Sequence, residues 1–430
     1  MAQPNSFASL PLSMRYSIMS GSDTIPSTTR LHRWDSTSTS YSSSSNNIIN
    51  IPVAADGFIQ GSEGYLYMQI QNNDASSCTL DFDATSLIDK VEIAVLGSSG
   101  KVETIENYNT YATLKQLYNS DDAVKNYLNN TSGASAAQIG SNPDGLAIAS
   151  THTRHVAIKL HGLAFLNDYY RKALPMGMPQ FTLQITLASA NVAFKTSGTA
   201  ATTAAYTVQN ARWYAPVFRI EDEQVMASYA NDLNTLTLSW VGESASSIIN
   251  TRTNTEGTQR FLLNPSFRSL NGIVSAQRPS AGLTTSTVNV VAATNLDNIS
   301  SFQHRIQGSL YPQDGIDFAA AANGNDQSRA YIEAAGAFAP HGKAIAENDT
   351  VTLTQLGETT ANNGRGVMAV NLKRFSESQL INVGLNTSSN ASPTTLEVTY
   401  SGAGAAQQVL SFALYDVMFM LRGGVVEAQF

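Results

Sequence analysis

Charge is what this sequence has least of. Asp, Glu, Lys and Arg make up 13% of the 430 residues, about half of the roughly 25% found in an ordinary globular chain. Ser, Thr, Asn and Gln solubilise it instead, which suits strand-rich chains and surfaces that pack against neighbours. The 25 basic and 33 acidic side chains give a formal charge of −8, with no block of Lys or Arg. That excludes a coat on nucleic acid, which needs many phosphate-neutralising cations, and no direct sequence-specific nucleic acid binding is expected. A single cysteine, Cys78, excludes an intrachain disulfide framework and a Cys-rich zinc site. Long apolar runs are missing too. The most apolar stretch, Val409 to Leu421, has 13 residues and is interrupted by Asp416, too short to span a bilayer. Met1 to Asp23 holds no continuous apolar segment of the secretory kind. The expectation is a soluble protein made in a reducing compartment, or one indifferent to redox state.

Apolar residues still reach 42%, enough for a large core, and single cores stop growing near roughly 250–300 residues, so two domains are expected. Most periodic text reads as strand: Tyr65 to Ile70, Thr79 to Phe82, Val91 to Leu96, His155 to Leu160, Phe181 to Leu187 and Tyr214 to Ile220 in the first half. The second half adds Leu236 to Trp240, Thr287 to Val291, Phe302 to Ile306, Gly366 to Leu372, Thr395 to Tyr400 and Leu410 to Leu421. Helical text is scarcer. Ile105 to Tyr118 carries Tyr108, Tyr111, Leu114 and Leu117 at a spacing of three, and Asp121 to Leu128 would continue it. Glu221 to Leu233 is the other helix, with Glu221, Asp222 and Glu223 at its positive N-terminal end. The Ser/Thr run Ser36 to Ser45 reads either as a flexible loop or as an edge strand with a loop. Ser132 to Ala149, Thr196 to Thr207 and Ala319 to Gln327 read as long surface loops.

The chain repeats itself. Ala157-Ile-Lys-Leu160 returns as Ala369-Val-Asn-Leu372, an offset of 212. Thr182-Leu-Gln-Ile-Thr-Leu187 returns as Thr395-Leu-Glu-Val-Thr-Tyr400, an offset of 213. Trp213-Tyr-Ala-Pro-Val-Phe218 returns as Leu414-Tyr-Asp-Val-Met-Phe419, an offset of 201. Each match is ordinary strand text, but three in one order indicate a tandem duplication. A period near 210 residues is a whole β domain and not a solenoid rung. A strand-rich unit of that size with uneven loops suits a sandwich or jelly roll. The expected division is an N-terminal arm over 1–26, a first unit over 27–220, a helical connector over 221–235 and a second unit over 236–430.

The search for chemistry returns nothing. Of six histidines only His152, His155 and His161 are local. On a strand His155 and His161 would stand roughly 20 Å apart, and metal ligands must converge within about 2 Å of one point, so surface or edge histidines are expected. The His-x-x-His spacing also departs from the His-x-His of jelly-roll metalloenzymes. There is no G-x-S-x-G elbow, and Gly336 to Ala344 fails the phosphate-loop pattern in glycine spacing and in its last residue. Asp81 and Asp83 would share a strand face, read as solvated carboxylates rather than a calcium site. Cys78 has no cationic neighbour to activate it and reads as a small core or edge residue. The Asn-x-Ser/Thr triplets at Asn129, Asn298, Asn348, Asn386 and Asn390 are what so polar a composition gives by chance. No catalytic, metal or cofactor site is assigned, and no enzyme is expected.

Several segments resemble the major capsid proteins of the double jelly-roll lineage of tailless icosahedral DNA viruses. They are Phe302-Gln-His-Arg-Ile-Gln-Gly-Ser-Leu-Tyr-Pro312, Ser328-Arg-Ala-Tyr-Ile-Glu333, Gly366-Val-Met-Ala-Val-Asn-Leu372 and Val383-Gly-Leu-Asn-Thr-Ser-Ser389. The ending Leu414-Tyr-Asp-Val-Met-Phe-Met-Leu-Arg-Gly-Gly-Val-Val-Glu427 completes the series, and Val91 to Leu96 with Ile105-Glu-Asn-Tyr-Asn109 matches the strand-then-helix passage of the first roll. The look is that of polinton-like viruses and virophages, with adenovirus-type and large algal virus capsids more distant. The Ser-rich stretch and the low charge are not family marks.

The resemblance implies an all-β fold of two tandem eight-stranded jelly rolls (β-sandwiches), with a few short helices in inter-strand insertions. It implies a major capsid protein, a structural subunit whose pseudo-hexameric homotrimers tile an icosahedral shell. Its partners would be neighbouring capsid trimers, penton proteins and minor capsid proteins. Its place would be the virion, after synthesis inside the infected host cell, and the resemblance carries no expectation about an internal membrane. The segment Met1 to Pro26, with Phe7, Leu10 and Leu12 in polar text, would be an assembly arm docking under the shell or onto a neighbour. The alternative is a tandem jelly-roll carbohydrate-binding or adhesin protein, which would need exposed aromatic platforms.

Overall fold

The computed structural model describes residues 27–98, 100–118, 131–132, 144–169, 172–196, 205–235, 237–253, 255–285, 289–291, 294, 296–318, 326–339, 365–373, 384–389 and 392–430. The expected arm residues Phe7, Leu10 and Leu12 lie outside these, as does the helix expected over Asp121 to Leu128.

Alternation builds the first half. Phe181–Leu187 and Tyr65–Asn72 bury every second residue, the mark of strands with one face on a core and one toward water. Eight long strands follow in chain order: Ser27–Asp35, Ile48–Val53, Tyr65–Asn72, Ile88–Val95, Lys101–Glu106, Thr153–Ile158, Phe181–Leu187 and Tyr206–Ile220. They pair antiparallel in two sheets, ordered first–eighth–third–sixth and second–seventh–fourth–fifth. That interleaving of two Greek keys is a jelly roll. The Ser-rich run is ordered structure: Ser40–Ser42 pairs with the eighth strand, and Tyr41 between them is buried.

The second half repeats the plan. Its strands are Leu238–Arg252, Gly257–Leu262, Leu270–Pro279, Ile299–Ile306, Ser309–Asp317, Met368–Asn371, Thr395–Tyr400 and Gln407–Arg422. The two sheets again run first–eighth–third–sixth and second–seventh–fourth–fifth. The three repeats read from the sequence fall on the sixth, seventh and eighth strands of both rolls, as equivalent positions of a duplicated unit should. A helix also follows the fifth strand in each roll, Tyr108–Tyr118 in the first and Gln327–Phe338 in the second. Among the described residues no sheet mixes strands from before and after the helix Glu223–Thr235. That helix starts where its acidic text predicts, with the Asp222 carboxylate accepting from the Gln224 and Val225 amides.

Several expectations shift. Ile105 belongs to the fifth strand and not to the helix, which begins at Tyr108 after Asn107 turns with φ +51°. Residues 289–291, expected in a strand, pair with no strand; their amides serve a carboxylate described below. The apolar run near the C-terminus is the central eighth strand of the second roll, buried on both faces. Its neighbour Leu270–Pro279 is buried at all positions, because helices and the first roll cover what would be its wet face.

Candidate assembly site: the seam between the rolls

Two surfaces meet along the seam. From the first roll come the fifth strand, the Tyr108–Tyr118 helix and the turn that follows the sixth strand. From the second roll comes the first strand, Leu238–Arg252, with its sheet. The turn is made possible by Gly162, at φ +74°, where a Cβ would sit 2.4 Å from the Tyr111 ring. Beyond it Phe165 packs against Phe181 of its own roll at 5.2 Å and against Trp240 and Phe419 of the other at 5.5 and 5.2 Å. Gly242 lets the backbones touch. A Cβ there would lie 2.7 Å from the Asn167 carbonyl and 2.8 Å from Ala164 Cα. Two bonds from backbone amides finish the contact: Tyr169 N–H donates to the Val241 carbonyl at 2.9 Å, and Val241 N–H to the Asp168 carboxylate at 2.9 Å.

A buried polar network runs through this apolar contact. Glu103 accepts from the Ala164 and Phe165 amides at 2.8 and 2.9 Å and from the Ser244 hydroxyl of the second roll at 2.6 Å. Burial lifts its carboxyl to about 7 against the pull of those donors. Glu243 accepts Lys115 of the first roll and Lys373 of the second, each at 3.1 Å. Burial opposes the charge of both lysines. The Tyr111 and Glu243 partners outweigh it and hold Lys115 above its usual range, whereas Lys373 is held below. Asp416 gathers Asn271 at 2.7 Å with the hydroxyls of Ser269 and Tyr169. Removing one member of such a set leaves a buried charge uncompensated, at a cost of about 3–5 kcal/mol. The network ties the two rolls to each other at Glu103–Ser244 and at Lys115–Glu243.

The helix behind the fifth strand extends the seam. Arg278 of the second roll donates to Thr110 and Asn107, both at 3.2 Å, and Tyr111 meets Phe412 at 5.5 Å. At the far end the Ser98 hydroxyl donates to the Val426 carbonyl at 2.7 Å. A cavity of about 360 Å³ remains at the seam, lined among others by Lys115, Lys159, His161, Asp168, Trp213 and Glu243.

The residues weighed from sequence are dispersed. His152 and His155 are exposed, the latter bonded to Tyr67 at 3.0 Å. His161 is not a strand-edge residue but sits half-buried in the seam turn. Burial, reinforced by Lys115 and Lys159, pushes it down to about 4. Asp81 and Asp83 are fully buried, against the expectation of a solvated face. Asp81 accepts the Val290 and Val291 amides at 2.7 and 2.9 Å, another tie between the halves. Asp83 caps a short turn by accepting the Thr85 amide at 2.8 Å. Among the described residues no group of three His, Cys, Asp or Glu side chains converges as metal ligands. Cys78 is buried. Trp34, Trp213 and Trp240 are 7, 1 and 4% exposed, so none offers a platform to a sugar.

Sequence reasoning did not single out Glu103, Lys115, Glu243 or Lys373. The signal was present as acids set in apolar strand text, Val102-Glu103 and Val241-Gly-Glu243, and as the Asp416 interruption of the longest apolar run.

The chain matches no protein-family model and no curated protein sequence. Solved structures do match. The PBCV-1 virus capsid is similar with a TM-score of 0.63 at 12% identity, over 97% of this chain and 99% of that one. The Sputnik virophage structure gives 0.56 at 12% identity, over 100% and 92%. The mavirus major capsid protein gives 0.55 at 13% identity, over 100% and 95%. Identities this low speak for the fold, which is the double jelly roll that the resemblance implied.

Proposed function

We propose that this chain is the major capsid protein of a tailless icosahedral DNA virus, a structural subunit and not an enzyme. It divides into an arm over 1–26, a first roll over 27–220, a connector over 221–235 and a second roll over 236–430. Three copies form a pseudo-hexagonal homotrimer, because two similar rolls per chain supply six similar tiles. These trimers tile the virion shell against one another and against penton and minor capsid proteins. The arm, through Phe7, Leu10 and Leu12, anchors each subunit to the shell or to a neighbour.

One observation carries the proposal. Two rolls of the same strand order are fixed side by side by a buried seam, and that arrangement matches capsid structures over nearly the full length of both chains. The sparse charge of the sequence suits surfaces buried against neighbours. The glycan-binding alternative finds no platform in the three tryptophans, which are all buried.

Light scattering after size exclusion tests the proposal. The expected mass is three times 46.0 kDa, about 138 kDa, persisting on dilution, with pseudo-hexagonal particles by electron microscopy. A folded monomer at high concentration would overturn it.

A further inference from the structure

The duplication allows the seam to be transferred from inside the chain to the space between chains. Alignment of the eighth strands sets Tyr214 on Tyr415 and Phe218 on Phe419. Through the strand pairings, Arg30, Leu31, His32 and Arg33 of the first roll then occupy the positions of Val241, Gly242, Glu243 and Ser244. The second set is buried in the seam. In the first set Arg30, Leu31 and Arg33 are exposed and His32 half-buried.

The opposite surface transfers in the same way. Leu183 and Leu396 are equivalent on the seventh strands, so Ile93 corresponds to His304 and Glu103 to Tyr311. Lys90 and Ser301 likewise set Glu106 on Asp317. Glu103 is the residue that meets Ser244 in the seam. Its counterpart strand, Ser309–Asp317, buries only Ile316, and residues 313–315 bulge outward against the single residue Gln303.

The two edge strands of the seam thus exist twice in the chain, once buried against each other and once open. The helix Gln327–Phe338, by contrast, is already used within the chain, where Phe338 stacks on Tyr118 at 6.0 Å. The open strands carry opposite charge. Ser27–Asp35 presents Arg30 and Arg33 with a single acid, Asp35, which pairs with Arg33 at 3.0 Å and with Arg212 of the eighth strand at 2.9 Å. Ser309–Asp317 presents Asp314 and Asp317, with Asp326 and Arg329 just beyond.

We propose that a second copy of this chain docks its Ser309–Asp317 strand onto the Ser27–Asp35 strand, so that the strand pairing between subunits repeats the one in the seam within them. This rests on the homotrimer proposed above and names the surfaces that make it. The joint is heterologous, since different patches meet, and such contacts close into rings when the rotation allows. Around the ring, seams within chains alternate with joints between chains. The joint is also the looser of the two. Leu31 stands at the position of Gly242, where even a Cβ would lie 2.7 Å from the facing Asn167 carbonyl, so the docked strand rides on a side chain and on ion pairs.

Cross-linking tests the assignment on the full chain. Its one native cysteine is buried, with a thiol pushed up to about 11 by burial and the nearby Asp74 carboxylate, so background labelling is low. The double variant Arg33→Cys/Asp314→Cys, treated with a short bismaleimide, should give a covalent trimer, and neither single variant should link. If light scattering still shows the trimer and both new thiols react with a monofunctional maleimide, but no link forms, the copies meet elsewhere. The joint is then wrong and the subunit proposal stands. A monomeric wild-type chain would overturn both. Charge reversal gives a second route should the cysteine variant misfold. Arg30→Glu/Arg33→Glu should raise the concentration at which the trimer dissociates at least tenfold, and adding Asp314→Arg/Asp317→Arg should restore it. A loss that is not restored would also overturn the joint.

Discussion

The first strands of the two rolls hold the same place in the same topology and meet opposite surroundings. Val241 to Ser244 are closed over by Phe165, Asn167 and the Tyr108–Tyr118 helix; Arg30 to Arg33 mostly face solvent. The whole sheets differ accordingly. In the first roll Tyr65–Asn72 alternates buried and half-buried residues, whereas its counterpart Leu270–Pro279 is buried throughout. A duplicated domain has therefore diverged by what covers it. One copy is covered by its own chain, and the other leaves the corresponding first strand exposed. The comparison separates core demands, which both copies share, from the covering of the outer sheet face, which differs between them.

Enlarging Gly242 would break that difference most severely. The atoms facing it are backbone, the Asn167 carbonyl and Ala164 Cα, and backbone cannot swing aside as a side chain can. Overpacking typically costs about 1–3 kcal/mol, and Gly242→Leu should lie at about 3 kcal/mol, because the seam must open to admit it. Chemical denaturation should show a lower midpoint, with a second transition if the rolls uncouple. An unchanged midpoint would mean that the seam is loose at this point.

The jelly-roll core was legible because alternation is a local property. Phe181 to Leu187 and Thr395 to Tyr400 were read to the residue, and the repeats on them located equivalent strands. What the sequence hid lies where tertiary contact overrides local pattern. Ile105 reads as part of the helix face but completes a strand, because the turn at Asn107 depends on a positive φ that periodicity does not register. Leu270 to Pro279 has no alternation to detect, being buried on both sides. Asp81 and Asp83 looked solvated because alternation with Leu80 and Phe82 puts them on one strand face away from the apolar residues, yet distant amides at Val290 and Val291 claim Asp81. The seam charges escaped for the same reason. Glu103, Lys115 and Glu243 are 12 to 140 residues apart in sequence, and nothing local shows that they converge.

A smaller effect sharpens the comparison through pH. The folded chain takes up the Glu103 proton as pH drops below about 7, while the unfolded chain waits until about 4.5. Its contribution to stability therefore grows on acidification through that window and is lost as pH rises through about 7. His161 runs the other way. With its folded value near 4 and its unfolded value near 6.5, it contributes fully above 6.5 and loses that contribution as pH falls toward 4. Glu103→Gln removes only the first term. Between pH 7 and 4.5 the wild type should gain on this variant by about 1 kcal/mol per pH unit at most, seen as diverging denaturation midpoints at pH 7, 6 and 5. Parallel midpoints would mean that the carboxyl is not desolvated and that the seam admits water at Glu103.

The smallest effect on folding belongs to Leu31, and its smallness is the point. At 57% exposed it gives its own roll little, so Leu31→Ser should change the unfolding free energy of the dissociated chain by less than about 0.5 kcal/mol, as surface substitutions usually do. Covering the exposed half of a leucine is worth about 1 kcal/mol. If a neighbouring strand covers it, each joint loses that amount and the trimer dissociates at a concentration several-fold higher. Dilution followed by light scattering reads the second quantity, and denaturation of the monomer reads the first. A variant that unfolds easily as a monomer would show Leu31 to be core. A variant that changes neither would show that the open first strand faces solvent in the assembly too, and the contrast with Gly242 would then reflect drift between the copies and not two halves of one kind of joint.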